Sequence, residues 1–349
     1  MDTARVMLLS AADLANGAAG EPLLGEGGAV CRPMVVVDLD GGVPLIERAV
    51  EQAALADRIL VGRATREIPA EVRPLIDALD LTYAPVAQSR GVVETPDPDA
   101  SIAAFAEAVA ANQQAALVAR QVVRASETLA VPEAIDVESL GYSTLQGGPE
   151  FAAWLAGRGP RPLPPPSDEP VLIAREGDLL HITLNRPERR NAYGTVLRDA
   201  LVDALRLAIL DDSIERVVLD GAGSSFCAGG DLDEFGRTPD ITLAHFVRTR
   251  GGAGRLVARL AGRVEVRLHG HCIGAGIEIP AFAGRVVATP GTVFRLPEVS
   301  MGLIPGAGGT VSIPRRIGRW RSLHLFVTAA PLDASRALDW GLVDEIRDL

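Results

Sequence analysis

Two glutamates stand where carboxylates are costly to place. Glu278 ends the run CIGAGIE and is followed by the apolar stretch IPAFAG, and Glu298 lies in LPEVSMG. An acid taken out of water persists inside a protein where it is hydrogen-bonded or does chemistry. Both lie close to glycine-rich turns, of which the chain has three: CAGGDL at 227–232, CIGAGIE at 272–278 and GLIPGAGG at 302–309. Small residues at such turns let main-chain N–H groups reach a bound carbonyl or phosphate with no side chain in the way. Either acid alone reads as a helix cap or an arginine partner; beside three such turns, the pair reads as acid–base machinery.

The elements that must hold these turns form a strand and helix series after residue 170. Strand-like LLHITLN is followed by the helical TVLRDALVDALRLAILDD, then by IERVVLDGAG, VEVRLHG, RVVATP and the final ALDWGLVDEI. Apolar runs alternating with helices suit a parallel sheet covered on its faces. Upstream, GRGPRPLPPPSDEP at 157–170 is a stiff, extended tether. Region 34–156 opens with the strand-like MVVVDLD and RILVGRA around a helical PLIERAVEQAALAD. DASIAAFAEAVAANQQAALVARQVVRA, free of Gly and Pro, predicts one long helix. Two shorter helices follow in VPEAIDVESLGYSTL and GGPEFAAWLAGRG, the latter with Pro149 in its first turn. Segment 1–33 reads as irregular. The expected layout is therefore 1–33, 34–156, the linker 157–170 and a core at 171–349, an α/β chain throughout.

Bulk properties bound the function. The chain has 349 residues, 48% of them hydrophobic, and a mean hydropathy of +0.20, enough for a sizeable core. Its net charge of -11 divides into -12 over residues 1–170 and +1 over 171–349. An acidic first half repels phosphate polymers, which argues against a nucleic-acid partner. Every basic side chain is Arg, so no Schiff-base or P-loop lysine exists. Cys31, Cys227 and Cys272 lack CxxC spacing, and neither they nor His269 and His271 have metal-ligand spacing. Asp2 and Asp13 flank the apolar run near the start, and no apolar stretch is long enough to cross a bilayer. The expectation is a cytoplasmic protein with no membrane partner and no metal.

Together, ITLNRPERRNAY, VVLDGAGSSFCAGGDL, HGHCIGAGIEI, FRLPEVSMGLIPGAGGT and ALDWGLVDEI make residues 171–346 resemble the crotonase (enoyl-CoA hydratase/isomerase) superfamily. The resemblance implies a β-β-α superhelix core, CoA thioester substrates, and a homotrimer or dimer of trimers. Carried over by position, it puts the oxyanion-hole N–H groups at Gly230 and Ala275 and the catalytic carboxylates at Glu278 and Glu298. It places CoA or substrate contacts at Arg189, Arg190, Ala192, Ala228, Asp231, Leu232, Gly274 and Gly302. Coenzyme A enters as part of the acyl-CoA substrate, with no covalently bound cofactor. Because both carboxylate positions are filled, the implied reaction is hydration of a 2-enoyl-CoA, or its reverse. Isomerase, hydrolase or dioxygenase chemistry on a CoA thioester, and a non-catalytic acyl-CoA-binding assembly subunit, are the alternatives.

The first half departs from that family's layout. Members continue past the GLVDEI strand into helices that cover the site, whereas here such a segment is matched by residues 113–162. The smaller α/β and helical region 34–162 is thus expected to descend from a decayed or permuted crotonase copy, whose helices replace the usual C-terminal ones. An unrelated α/β domain is the alternative.

Overall fold

The computed structural model describes residues 6–165 and 167–349. Five parallel strands lie side by side in chain order: β1 (Met7–Ser10), β2 (Met34–Asp38), β3 (Ile59–Arg63), β4 (Leu81–Ala84) and β5 (Val92–Glu94). The apolar runs of β2 to β5 are buried on both faces, as a covered parallel sheet requires, whereas Leu8 of the edge strand β1 is exposed. Val35, Val37 and Leu60 pack with the short helices Ala11–Ala15, Ile46–Leu55 and Arg73–Ala78 into a small core. On the opposite face, Val36, Ile59, Val61, Leu81 and Tyr83 join a second, larger core that runs through to Val343. The two halves of the chain therefore share one hydrophobic interior. Polar contacts reinforce the join: Tyr83 Oη lies 2.7 Å from His324 Nδ1. Buried Asp80 binds Arg120 and Arg124, with Arg319 of the second half 3.8 Å away.

Two expectations are corrected here. Residues 1–5 lie outside the described residues, but the rest of segment 1–33 is not wholly irregular, since it supplies the edge strand β1 and a helix closed by a Ser10–Asp13 capping box. The expected single long helix is two, Pro98–Ala111 and Gln113–Ser126, bent by 107° at Asn112 (φ -142°, ψ 71°). The bend lets each helix pack separately. The helices Val131–Gln146 and Pro149–Arg158 follow.

In the second half, β6 (Val171–Glu176), β7 (Leu179–Leu184), β8 (Arg216–Gly221) and β9 (Val264–Leu268) build most of a six-stranded sheet. A second layer holds β10 (His271–Ile273); β11 (Arg285–Ala288) returns to the large sheet, and β12 (Val293–Arg295) and β13 (Leu332–Asp333) complete the small one. The last strand, β14 (Glu345–Ile346), closes the large sheet beside β11. All pairings are parallel except β6 with β7 and β12 with β13.

Candidate active site

Glu278 and Glu298 leave the same ends of neighbouring strands. β10 and β12 pair in parallel, with Ile273 opposite Arg295, and Gly274 N–H bonds to Arg295 O at 2.9 Å. Glu278 ends the short helix Ala275–Glu278 after β10, and Glu298 begins the turn Glu298–Met301 after β12. Gly274, at φ 49°, is the pivot, in the left-handed region that only glycine enters freely. A Cβ there would collide with Glu298 Oε1 and lie 3.6 Å from Glu278 Oε1, so the two carboxyl groups converge on one point.

The oxyanion-hole candidates are brought together by lacing two turns. Ile273 N–H donates to Cys227 O at 3.0 Å and Cys227 N–H to His271 O at 3.3 Å, across a parallel Cys227–Cys272 bridge. Gly276 makes the approach possible, because a Cβ there would strike Cys227 O and lie 3.0 Å from Cys227 Cβ. Gly230 and Ala275 both line the same cavity of about 650 Å³ as the two glutamates. Among the described residues neither N–H donates to a protein acceptor.

The two acids differ in their surroundings. Glu278 Oε2 accepts from Ala307 N–H at 2.7 Å and Gly309 N–H at 3.0 Å. Burial lifts its proton affinity above the usual glutamate range and these two donors pull it back. Glu298 Oε2 has no hydrogen-bond partner among the described residues. Burial, then the Glu278 charge, pushes Glu298 well above the ordinary range. A further buried carboxylate among the cavity walls comes from the first half of the chain. Glu138, 1% exposed on the helix Val131–Gln146, accepts from Gly308 N–H, Thr310 N–H and Thr310 Oγ1. Burial and the Glu278 charge raise it as well.

Other cavity walls also come from the first half: Tyr142, and Phe151 stacked on Trp154. Arg248 lies 4.4 Å above the Tyr142 ring and donates to Ser139 Oγ at 3.0 Å. Sequence reasoning missed Glu138 and Tyr142. For Glu138 a signal existed, since Ala134, Ile135, Glu138, Tyr142 and Leu145 fall on one stripe of the helix. An acid on an otherwise apolar stripe marks a specific partner.

Of the residues assigned to CoA or substrate, Asp231 lines the cavity; Arg189, Arg190, Ala192, Ala228, Leu232, Gly274 and Gly302 do not. Arg189 is engaged by Asp231 at 2.7 and 2.9 Å and by Asp233 at 2.8 Å, and so braces the CAGGDL turn. Arg190 is exposed on that same side of the loop, with Arg190 O accepting from Ala228 N–H at 2.9 Å. At Gly302, with φ 74°, a Cβ would meet Phe151 N at 2.5 Å and Glu150 C at 2.6 Å. Its place is against the helix Pro149–Arg158, where it lets first-half backbone close on the Glu298 turn.

Residues 174–348 match the family model for enoyl-CoA hydratase/isomerase. The chain is 33% identical to the 1,2-epoxyphenylacetyl-CoA isomerase of Escherichia coli K12 over 183 residues, covering 51% of this chain and 70% of that protein. It is 32% identical to the 2,3-dehydroadipyl-CoA hydratase of the same organism, covering 50% and 68%. Among solved structures, an enoyl-CoA hydratase from Thermoplasma volcanium GSS1 is 31% identical, with 52% of this chain and 72% of that one covered and a TM-score of 0.48.

Proposed function

This chain belongs to the enoyl-CoA hydratase/isomerase family, and on that premise we propose that it adds water across the double bond of a 2-enoyl-CoA. The supporting observation is the contrast between two acids in one cavity: Glu278 receives two N–H donors, whereas Glu298 Oε2 has no partner among the described residues. Donors favour an ionised carboxylate, and an unpartnered buried carboxyl favours the neutral acid. Glu278 is therefore the base and Glu298 the acid.

The thioester oxygen lies between the N–H groups of Gly230 and Ala275. Water attacks C3 as its proton passes to Glu278, and the C2–C3 π electrons move into the thioester as an enolate. Two fixed donors stabilise that negative charge, a contribution of ~3 to 4 kcal/mol for each donor removed in comparable sites. Glu298 then gives its proton to C2, leaving a 3-hydroxyacyl-CoA. Exchange with solvent returns Glu278 to its ionised form and Glu298 to its neutral form. The reverse sequence dehydrates.

The test follows loss of enoyl absorbance with crotonyl-CoA and with longer and aromatic 2-enoyl-CoAs. Glu278→Gln and Glu298→Gln should each lower kcat by ~10²- to 10⁴-fold. Unchanged turnover in both variants would sink the assignment. A migrated double bond in place of an alcohol would move the activity to isomerisation.

A further inference from the structure

Four successive peptide N–H groups are divided alternately between two carboxylates. Ala307 and Gly309 donate to Glu278 Oε2 at 2.7 and 3.0 Å. Gly308 donates to Glu138 Oε1 at 2.7 Å, and Thr310 N–H and Oγ1 donate to Glu138 Oε2 at 2.8 and 2.7 Å. The turn that presents them contains Gly306, Gly308 at φ 105° and Gly309, a backbone with little directional preference of its own. Its conformation must come from the groups that bind it. Gly309 also has to be glycine, since a Cβ would lie 2.6 Å from Glu278 Cγ.

Glu138 is buried in the first half of the chain, and Ser126 Oγ of the preceding helix adds a bond to Thr310 O at 2.9 Å. Gly308 and Thr310 can face Glu138 only while the intervening amides face Glu278. We infer that Glu138 is a positioning residue for the reaction: it fixes the 307–310 turn and, through Ala307 and Gly309, the carboxylate of Glu278. The first half of the chain is thereby part of the working site. This inference rests on the reading of Glu278 as the base.

A double-mutant cycle in the full-length protein tests it. Glu138→Gln should lower kcat on the order of 10²-fold while leaving KM within about twofold. In a Glu278→Gln background the same change should cost almost nothing more, because its target is already gone. Additive losses would overturn the inference. Amide hydrogen exchange supplies a readout independent of turnover. Glu138→Gln should speed exchange at Ala307 and Gly309, which Glu138 does not touch. Should Glu138→Gln fail to fold, Thr310→Val removes one donor to Glu138 and should produce a smaller acceleration at the same two amides. Wild-type exchange rates there, in whichever variant folds, would contradict the positioning role. A wild-type enzyme that hydrates no enoyl-CoA, yet shows the faster exchange in the variant, would instead locate the failure in the hydration reading.

Discussion

Glu278 and Glu298 emerge from the same ends of two hydrogen-bonded parallel strands and converge on the space a Cβ of Gly274 would fill, yet among the described residues turn amides hold Glu278 and not Glu298. The shared strand geometry sets their proximity. The 307–310 turn sets their difference.

Proton binding by these acids should be visible in stability. Burial raises Glu278, Glu298 and Glu138 above the ordinary value of 4.5. The folded chain then holds protons that the unfolded chain has released, so stability falls as pH rises through the raised values. Their contribution is complete below 4.5 and is lost progressively as pH rises through the raised values. Thermal unfolding should show a falling Tm between about pH 5 and 8, with a shallower slope in Glu298→Gln. A Tm that rises across this range, or a slope unaltered by the substitution, would contradict the assigned burial.

A backbone donor can be deleted at Ala275 without touching a side chain in the mechanism. Its N–H has no protein acceptor among the described residues, and it is the first residue of the helix Ala275–Glu278, where proline is tolerated. Ala275→Pro should therefore lower kcat by ~10²- to 10³-fold, the loss expected for one oxyanion donor, with little change in Tm. Activity at the wild-type level would remove Ala275 from the oxyanion hole.

The join between the halves is tested at Gly302. Alanine there must adopt φ 74° and push against the backbone at Glu150 and Phe151, neither of which can yield as a flexible side chain would. Gly302→Ala should lose about 1–3 kcal/mol or more in denaturant unfolding. Gly262→Ala serves as the control, since a Cβ at Gly262 meets nothing within 4 Å. Equal stability of the two variants would contradict the close packing described.

How far the sequence discloses this site depends on how local each signal is. Glu278 and Glu298 stand in short apolar runs beside glycine turns, so residue type and neighbours suffice to mark them. Glu138 lies in a helix with Glu133 and Asp136, and only its place on the apolar stripe sets it apart. Its partners, Gly308 and Thr310, are brought to it by the tertiary fold. The bend at Asn112 was hidden for a similar reason: nothing in an Ala-rich segment free of Gly and Pro breaks a helix, and packing of two separate helices decides the matter. Strands β4 and β5 are only four and three residues long, too short for periodicity to reveal. Arg189 and Asp231 show a further limit: the resemblance puts both at CoA or substrate contacts by position, and the ion pair between them is visible only in the folded chain.

The origin of the added atoms tests the central claim most directly. A 2-enoyl-CoA turned over in D₂¹⁸O should give a 3-hydroxyacyl-CoA with one ¹⁸O on C3 and one deuterium on C2, a product that Glu278→Gln and Glu298→Gln form far more slowly. A product with a shifted double bond and no ¹⁸O, or equal rates in all three proteins, would contradict the account.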